Sequence, residues 1–302
     1  MNQELRVAIL EGGPSHEREV SLRTGEAVTA ALRQLGYPVE EIDPRDGDVL
    51  LPEGTDIVFL CLHGTFGEDG QVQRLLLRRG LPFTGSGADA SERAFDKSWS
   101  KEIFRKAGVP TPDWTLARSS VELPLALPFV IKPARQGSSI GVSRVFEEKD
   151  YPEALARATA EDHLVVAEAY IEGRELTVGI LGENVLPIVE IRPKAGFYDY
   201  RNKYTSGASE YLCPAPLPSD AAQSVAAIAR AAYRSLGCSV YGRVDVLLDG
   251  AGNPWVLEVN TIPGMTETSL FPKAAQAAGI DFPQLCEEVL QLSWIERNRQ
   301  SR

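Results

Sequence analysis

A chain of 302 residues, 43% hydrophobic and carrying a formal charge of −11, has the make-up of an ordinary globular protein and excludes a partner held by phosphate electrostatics, whether nucleic acid or anionic membrane. No apolar run approaches the about 20 residues of a bilayer span, and the opening MNQELRVAIL lacks the basic and long apolar regions of a secretory leader. Cys61, Cys213, Cys238 and Cys286 are scattered without a C-x-x-C pair, so reduced thiols in a cytosolic protein are expected.

The length predicts two domains or slightly more. Arg6–Leu10 reads as a buried strand, residues 11–17 as a Gly-rich loop, and the stretch from Glu17 or Val20 to Leu35 as a helix stopped by Gly36. Strand, loop and helix in that order make an α/β opening. Asp56–Leu62 and the short Leu81–Thr84 read as further strands, with a helix over Gln71–Arg79 between them. Gly12-Gly13 is not a G-x-G-x-x-G fingerprint. A helix N-terminus favours anions, and a loop acid beside it can hold an ammonium, so Glu17 is a candidate amino-acid anchor; a simple helix-dipole role fits it as well. His63 ends a strand at the crevice side, where a packed, hydrogen-bonded histidine fits equally.

A helix begins at Phe95-Asp96-Lys97 and runs through Ala107 to Gly108. The strand Leu127–Lys132 then leads into PARQGSSIG, whose backbone donors, hydroxyls and small residues suit a phosphate cover without forming a Walker A loop. Lys97 and Lys132 are candidate phosphate ligands, although most lysines are hydrated surface charges. Val142–Phe146, Leu164–Tyr170, Glu175–Leu181 and Leu186–Ile191 read as strands and Tyr151–Thr159 as a helix. Glu168 and Glu175 flank a turn at a spacing suited to an adenine amino group and a ribose, although turns are rich in surface glutamates. Arg192–Tyr211 reads as a long irregular segment rich in aromatics, the pattern of a functional lid. Helices are expected over Ser219–Leu236 and Phe282–Ile295, and Ser269-Leu270 opens another.

Tyr241–Asn260 is a hairpin: two β-branched runs around a turn of Asp, Gly, Asn and Pro. If Leu248 faces Trp255, Asp245 falls opposite Glu258 and Arg243 opposite Asn260, all on one face. Two opposed carboxylates repel unless a cation lies between them, and Mg²⁺ beside phosphates is the natural resolution. A hydrated, solvent-facing pair fits the same pattern, and a one-residue slip would split the set.

Eight stretches in order resemble the D-alanine–D-alanine ligases of the ATP-grasp superfamily: GGPSHEREVSL, LHGTFGEDG, DK at 96–97, IKPARQGSSIGVS, EGRELTV, FYDYRNKYTSG, YGRVDV and LEVNTIPGMTETSL. The resemblance implies a three-domain ATP-grasp α/β architecture, in which a Rossmann-like parallel-sheet domain (1–95) precedes two α+β domains (96–185 and 186–302) that enclose the nucleotide, with a lid over 195–210. It implies ATP-dependent joining of two D-alanines through an acylphosphate for peptidoglycan precursor synthesis, by a cytoplasmic homodimer using two Mg²⁺, with Mn²⁺ able to substitute and K⁺ an optional activator. It carries metal ligation to Asp245, Glu258 and Asn260, and phosphate binding to Lys97, Lys132 and the Ser138-Ser139 loop. Adenine and ribose contacts fall to Glu168, Ala169, Ile171 and Glu175. Glu17, linked through Ser138 to Tyr204, would hold the first ammonium, with His63 nearby, and Lys203 would reach the transferred phosphate. Arg243 and the Gly264 N–H would form an oxyanion hole; Ser269 and Leu270 would take the second carboxylate. Glu11 stands where the family has a hydrophobic residue or glycine, and Gln136 where an acid is common. Relatives that make D-alanyl-D-lactate lack a tyrosine in the lid, so Tyr204 points to an amine acceptor. A related ligase with other substrates and a nucleotide-binding module without turnover are the rival readings.

Overall fold

The computed structural model describes residues 4–119, 121–194, 208–266 and 268–300. β1 (Val7–Leu10) lies between β2 (Val39–Ile42) and β3 (Ile57–Leu60) in a parallel sheet. Strand alternation divides it: Val7 and Ile9 pack with Val28 and Leu32 of α1 (Arg18–Gln34), while Ala8 and Leu10 pack with Val72 and Leu76 of α2 (Gln71–Arg78). α3 (Ala88–Phe95) follows, and Asp96 caps α4 (Lys97–Ala107) by accepting from the N–H of Ser98 and Trp99. The expected strand at Leu81–Thr84 is only an isolated bridge, Val58 to Phe83.

The second sheet is antiparallel, in the order β4 (Trp114–Leu116), β7 (Val165–Ala169), β5 (Phe129–Pro133), β6 (Ser143–Val145). Phe129, Ile131, Val165 and Ala167 bury one face under Tyr151, Ala154 and Ala158 of α5 (Tyr151–Glu161). The same alternation puts Lys132 and Glu168 on the opposite face.

The third sheet runs β11 (Ser209–Leu212), β10 (Val189–Pro193), β8 (Gly173–Leu181), β12 (Tyr241–Asp249), β13 (Pro254–Asn260), with β9 (Asn184–Val185) on β8. It takes in Gly173–Leu181, so a division at 185 falls inside the span of this sheet. Leu176, Val178, Val244, Val246 and Val259 pack under Val225, Ala229 and Tyr233 of α6 (Ser219–Ser235), which leaves Thr177, Arg243, Asp245, Glu258 and Asn260 on the far face. α7 (Leu270–Ala277) is seated by Phe271 over Gly179, where a Cβ would lie 3.1 Å from the ring. α8 (Phe282–Gln300) returns to the N-terminal sheet: Leu285 and Val289 join the core of Val7 and Ile9, and Tyr37 donates to Glu287 at 2.9 Å.

Candidate active site

The hairpin register pairs Asp245 with Glu258 and Arg243 with Asn260, as the sequence predicts, although the premise behind it fails. Leu248 faces Pro254 and Leu247 faces Trp255; a bulge between Asp245/Val246 and their partners absorbs Leu257 and restores the pairing beyond it. The two offsets cancel at the residues that matter. Protein groups pair with both acids: Arg243 forks onto Asp245 at 2.9 and 2.8 Å, Thr177 donates to Asp245 at 2.6 Å, and Lys97 lies 3.2 Å from Glu258. Protein cations thus meet the charge demand that an oxygen-ligated divalent ion would meet. Two carboxylates and an amide on one face fit Mg²⁺; among the described residues no cluster of three His, Cys, Asp or Glu adds to them.

A cavity of about 490 Å³ opens on this face. Of the residues singled out in the sequence, Glu17, His63, Lys97, Ser138, Arg243, Asp245, Glu258, Asn260, Gly264, Ser269 and Leu270 line it. Glu17 stands at the start of α1, its N–H donating to Ser15 Oγ, which in turn donates to the His63 carbonyl at 2.7 Å. Ser138 donates to Glu17 Oε1. Two glycines bring backbone close to Glu17: a Cβ on Gly137 would come within 2.5 Å of Oε2, and one on Gly64, whose φ is +68°, within 2.8 Å. Ser138 and Ser139 hold φ of 52° and 59°, a left-handed pair unusual for residues with side chains. Lys97 opens α4 and donates to the Gln136 carbonyl at 2.8 Å, tying that helix to the serine loop. Ser269 sits at the N-terminus of α7, with Gly264 close enough that a Cβ would stand 3.0 Å from Ser269 Oγ.

Lys132, Ser139, Glu168, Ala169, Ile171 and Glu175 do not line that cavity. Lys132 and Glu168 are ion-paired at 2.9 Å on the cleft face of the second sheet, Ala169 ends β7, and Glu175 lies on β8. The expected roles of Lys203 and Tyr204 fall on positions outside the described residues.

Two groups that the sequence reading missed complete the site. Glu68 is buried in the cavity wall and accepts from the Gly64 N–H at 2.8 Å. Burial, then the negative charge of Glu17, pushes its carboxyl well above the usual range. Its signal was the acid in HGTFGEDG, read only as part of a motif. Lys101 is wholly buried and ion-paired with Glu168; its signal is the i, i+4 spacing from Lys97 on α4. Burial lowers the His63 ring, with Glu17 opposing and Arg243 assisting, and its Nε2 lies 3.1 Å from Thr24 Oγ1. His63 is therefore neutral at pH 7, a hydrogen-bonding group beside an acid.

Comparison with known proteins identifies the family of the chain. The family models for the D-ala D-ala ligase N-terminus and C-terminus match residues 41–86 and 103–291. D-alanine–D-alanine ligase from Methylacidiphilum infernorum is 57% identical over 96% of this chain and 95% of its own length; that from Syntrophotalea carbinolica is 46% identical over 95% and 96%. The crystal structure of D-alanine–D-alanine ligase from Bacillus anthracis superposes with a TM-score of 0.87 at 36% identity, covering 98% of this chain and 99% of that one, and its complex with ATP gives 0.85 at 35% with the same coverage. The chain belongs to the D-alanine–D-alanine ligase family.

Proposed function

We propose that the protein joins two D-alanines to D-alanyl-D-alanine at the expense of ATP, through an acylphosphate, in peptidoglycan precursor synthesis. The observation that carries this reading is the meeting of Glu17, Ser138 and the Arg243–Asp245–Glu258–Asn260 face in one cavity. An ammonium anchor and an oxyanion donor are both needed for amide formation, and a module that only binds nucleotide has no use for the second. The ATP complex of the Bacillus anthracis relative supports ATP as the phosphoryl donor.

The first D-alanine lies with its ammonium against Glu17 Oε2, a buried oxygen without a hydrogen-bond partner among the described residues. Its carboxylate takes the γ-phosphoryl group and becomes an acyl donor, with ADP as leaving group. Phosphoryl transfer depends on positioning and charge neutralisation, which Lys97 and Lys132 supply from α4 and β5. Asp245, Glu258 and Asn260 would hold Mg²⁺, or Mn²⁺ in its place, and the bound ion would neutralise phosphate charge. The free amine of the second D-alanine attacks the acyl carbon. Arg243 and the Gly264 N–H stabilise the oxyanion, a contribution of about 3 kcal/mol per donor, and phosphate leaves as the amide forms. The second carboxylate lies at Ser269-Leu270, where the α7 N-terminus favours an anion. Glu168, Ala169, Ile171 and Glu175 meet adenine and ribose. Lys203 and Tyr204 keep the roles the resemblance gives them, with Tyr204 favouring an amine acceptor.

The three-domain division, a homodimer and a cytoplasmic location belong to the same proposal; no helix of the described residues is long and apolar enough to cross a membrane. Phosphate release from ATP with and without D-alanine, with the product identified by mass, is the test. Release that depends on D-alanine and yields the dipeptide is expected; ATP binding without it returns the protein to a binding module, and efficient use of D-lactate at neutral pH changes the acceptor.

A further inference from the structure

Lys101 has 0% exposure, and its ammonium is spoken for on two sides. It donates to Thr111 Oγ1 at 2.6 Å, whose hydroxyl donates at 2.8 Å to the Val256 carbonyl on β13, and it is ion-paired with Glu168 Oε2. The other oxygen of Glu168 lies 2.9 Å from Lys132 Nζ. One carboxylate therefore serves two lysines, and the next acid, Glu258, is already paired with Lys97. A largely buried cluster with one cation more than it has acids favours the arrival of an anion.

We propose that Lys101 is a positioning residue: by keeping Glu168 paired, it frees Lys132 to leave that carboxylate for the phosphates of the nucleotide. This rests on the reading of the cleft as an ATP site. With Lys101 present, Glu168 retains a counter-ion and its orientation when Lys132 moves. With Lys101 removed, Lys132 becomes the sole partner of a buried carboxylate, and moving it would leave an unpaired charge. Burial lowers the Lys101 amine to about 8, so the residue is still cationic at neutral pH. The competing role is that of a strut, since the Thr111 bridge ties α4 to the third sheet.

ATP affinity by calorimetry on the wild type, Lys101→Met, Glu168→Gln and the double variant separates these roles, with melting curves alongside. Lys101→Met is expected to weaken ATP binding about tenfold, and Glu168→Gln in that background to recover most of the loss, although Glu168→Gln alone weakens binding. A double-variant cycle of this reversed sign is not produced by a strut. Lys101→Arg keeps the cation and is expected to keep wild-type affinity, which tests the idea even if the methionine variant does not fold. Affinity of Lys101→Met within twofold of wild type, additive losses in the double variant, or a loss in Lys101→Arg equal to that of Lys101→Met would overturn the proposal. A wild type that binds ATP but shows no D-alanine-dependent turnover fails the ligase reading instead, and the affinity cycle still decides the role of Lys101.

Discussion

The two walls of the cleft are built from the same residue types with opposite surpluses. On the wall proposed for the nucleotide, Glu168 is buried between Lys101 and Lys132; on the wall proposed for the amino acid, Glu17 and Glu68 are buried with His63, whose ring burial lowers. Burial alone raises a carboxyl, yet the lysines outweigh it and hold Glu168 below its ordinary value, while Glu68 is driven well above. Depth of burial is shared, so neighbouring charge decides ionisation. The cation-rich wall suits a polyphosphate and the acid-rich wall an ammonium, and Arg243 lines the same cavity, where the proposed reaction would take place.

The largest effect is expected at Arg243. Arg243→Ala is expected to lower turnover about 10²–10³-fold with ATP affinity close to wild type, read by single-turnover kinetics and calorimetry; unchanged turnover would remove it from the chemistry. Glu17→Gln removes the charge of the acid wall and is expected to raise the D-alanine KM about 10–100-fold, the worth of a charge-assisted hydrogen bond, in initial rates at saturating ATP. Glu68→Gln sharpens the contrast, because burial and the charge of Glu17 raise the wild-type carboxyl well above its ordinary value and favour its protonated form: kcat/KM for D-alanine should stay within about threefold. A large loss would mean that Glu68 is ionised and the acid wall carries more charge than argued.

The smallest effect lies outside the cleft, at Glu11. Burial first, then Glu41, Asp43 and Glu26, raise its carboxyl to about 7. A folded value above the unfolded one means that the folded state holds the proton longer, so stability falls as pH rises from about 4.5 to about 7. Glu11→Gln is expected to flatten that part of the melting profile and to raise the melting temperature above pH 7 by about 2 °C. An unchanged profile would show the acid already relieved by Arg18.

The sequence made the hairpin legible because alternation and opposed acids survive any local offset that is later corrected. It could not show the bulge at Leu257, since a bulge leaves the pattern of apolar residues intact on each side. β2 was missed because its residues, VEEI, present two glutamates at the sheet edge, and an edge strand need not alternate. Within the lid expected from Arg192 to Tyr211, Ser209–Leu212 is a strand paired with β10, a non-local contact that local composition does not encode. α3 was missed because Ala88–Phe95 is short and adjoins α4 without a breaker. Lys101 was missed for a different reason. A lysine on a helix reads as solvated, and only the approach of Glu168 from the second sheet makes it a buried ion.

In the proposed reaction the hairpin acids bind a divalent ion beside the nucleotide while Arg243 turns to the reacting carbonyl. A crystal structure with Mn²⁺, a non-hydrolysable ATP analogue and D-alanine tests this through the anomalous signal of manganese. Anomalous peaks within bonding distance of Asp245, Glu258 and Asn260 are expected, with the Arg243–Asp245 fork opened and Lys132 on the phosphates. Nucleotide bound with no peak at these residues and the fork intact would contradict it.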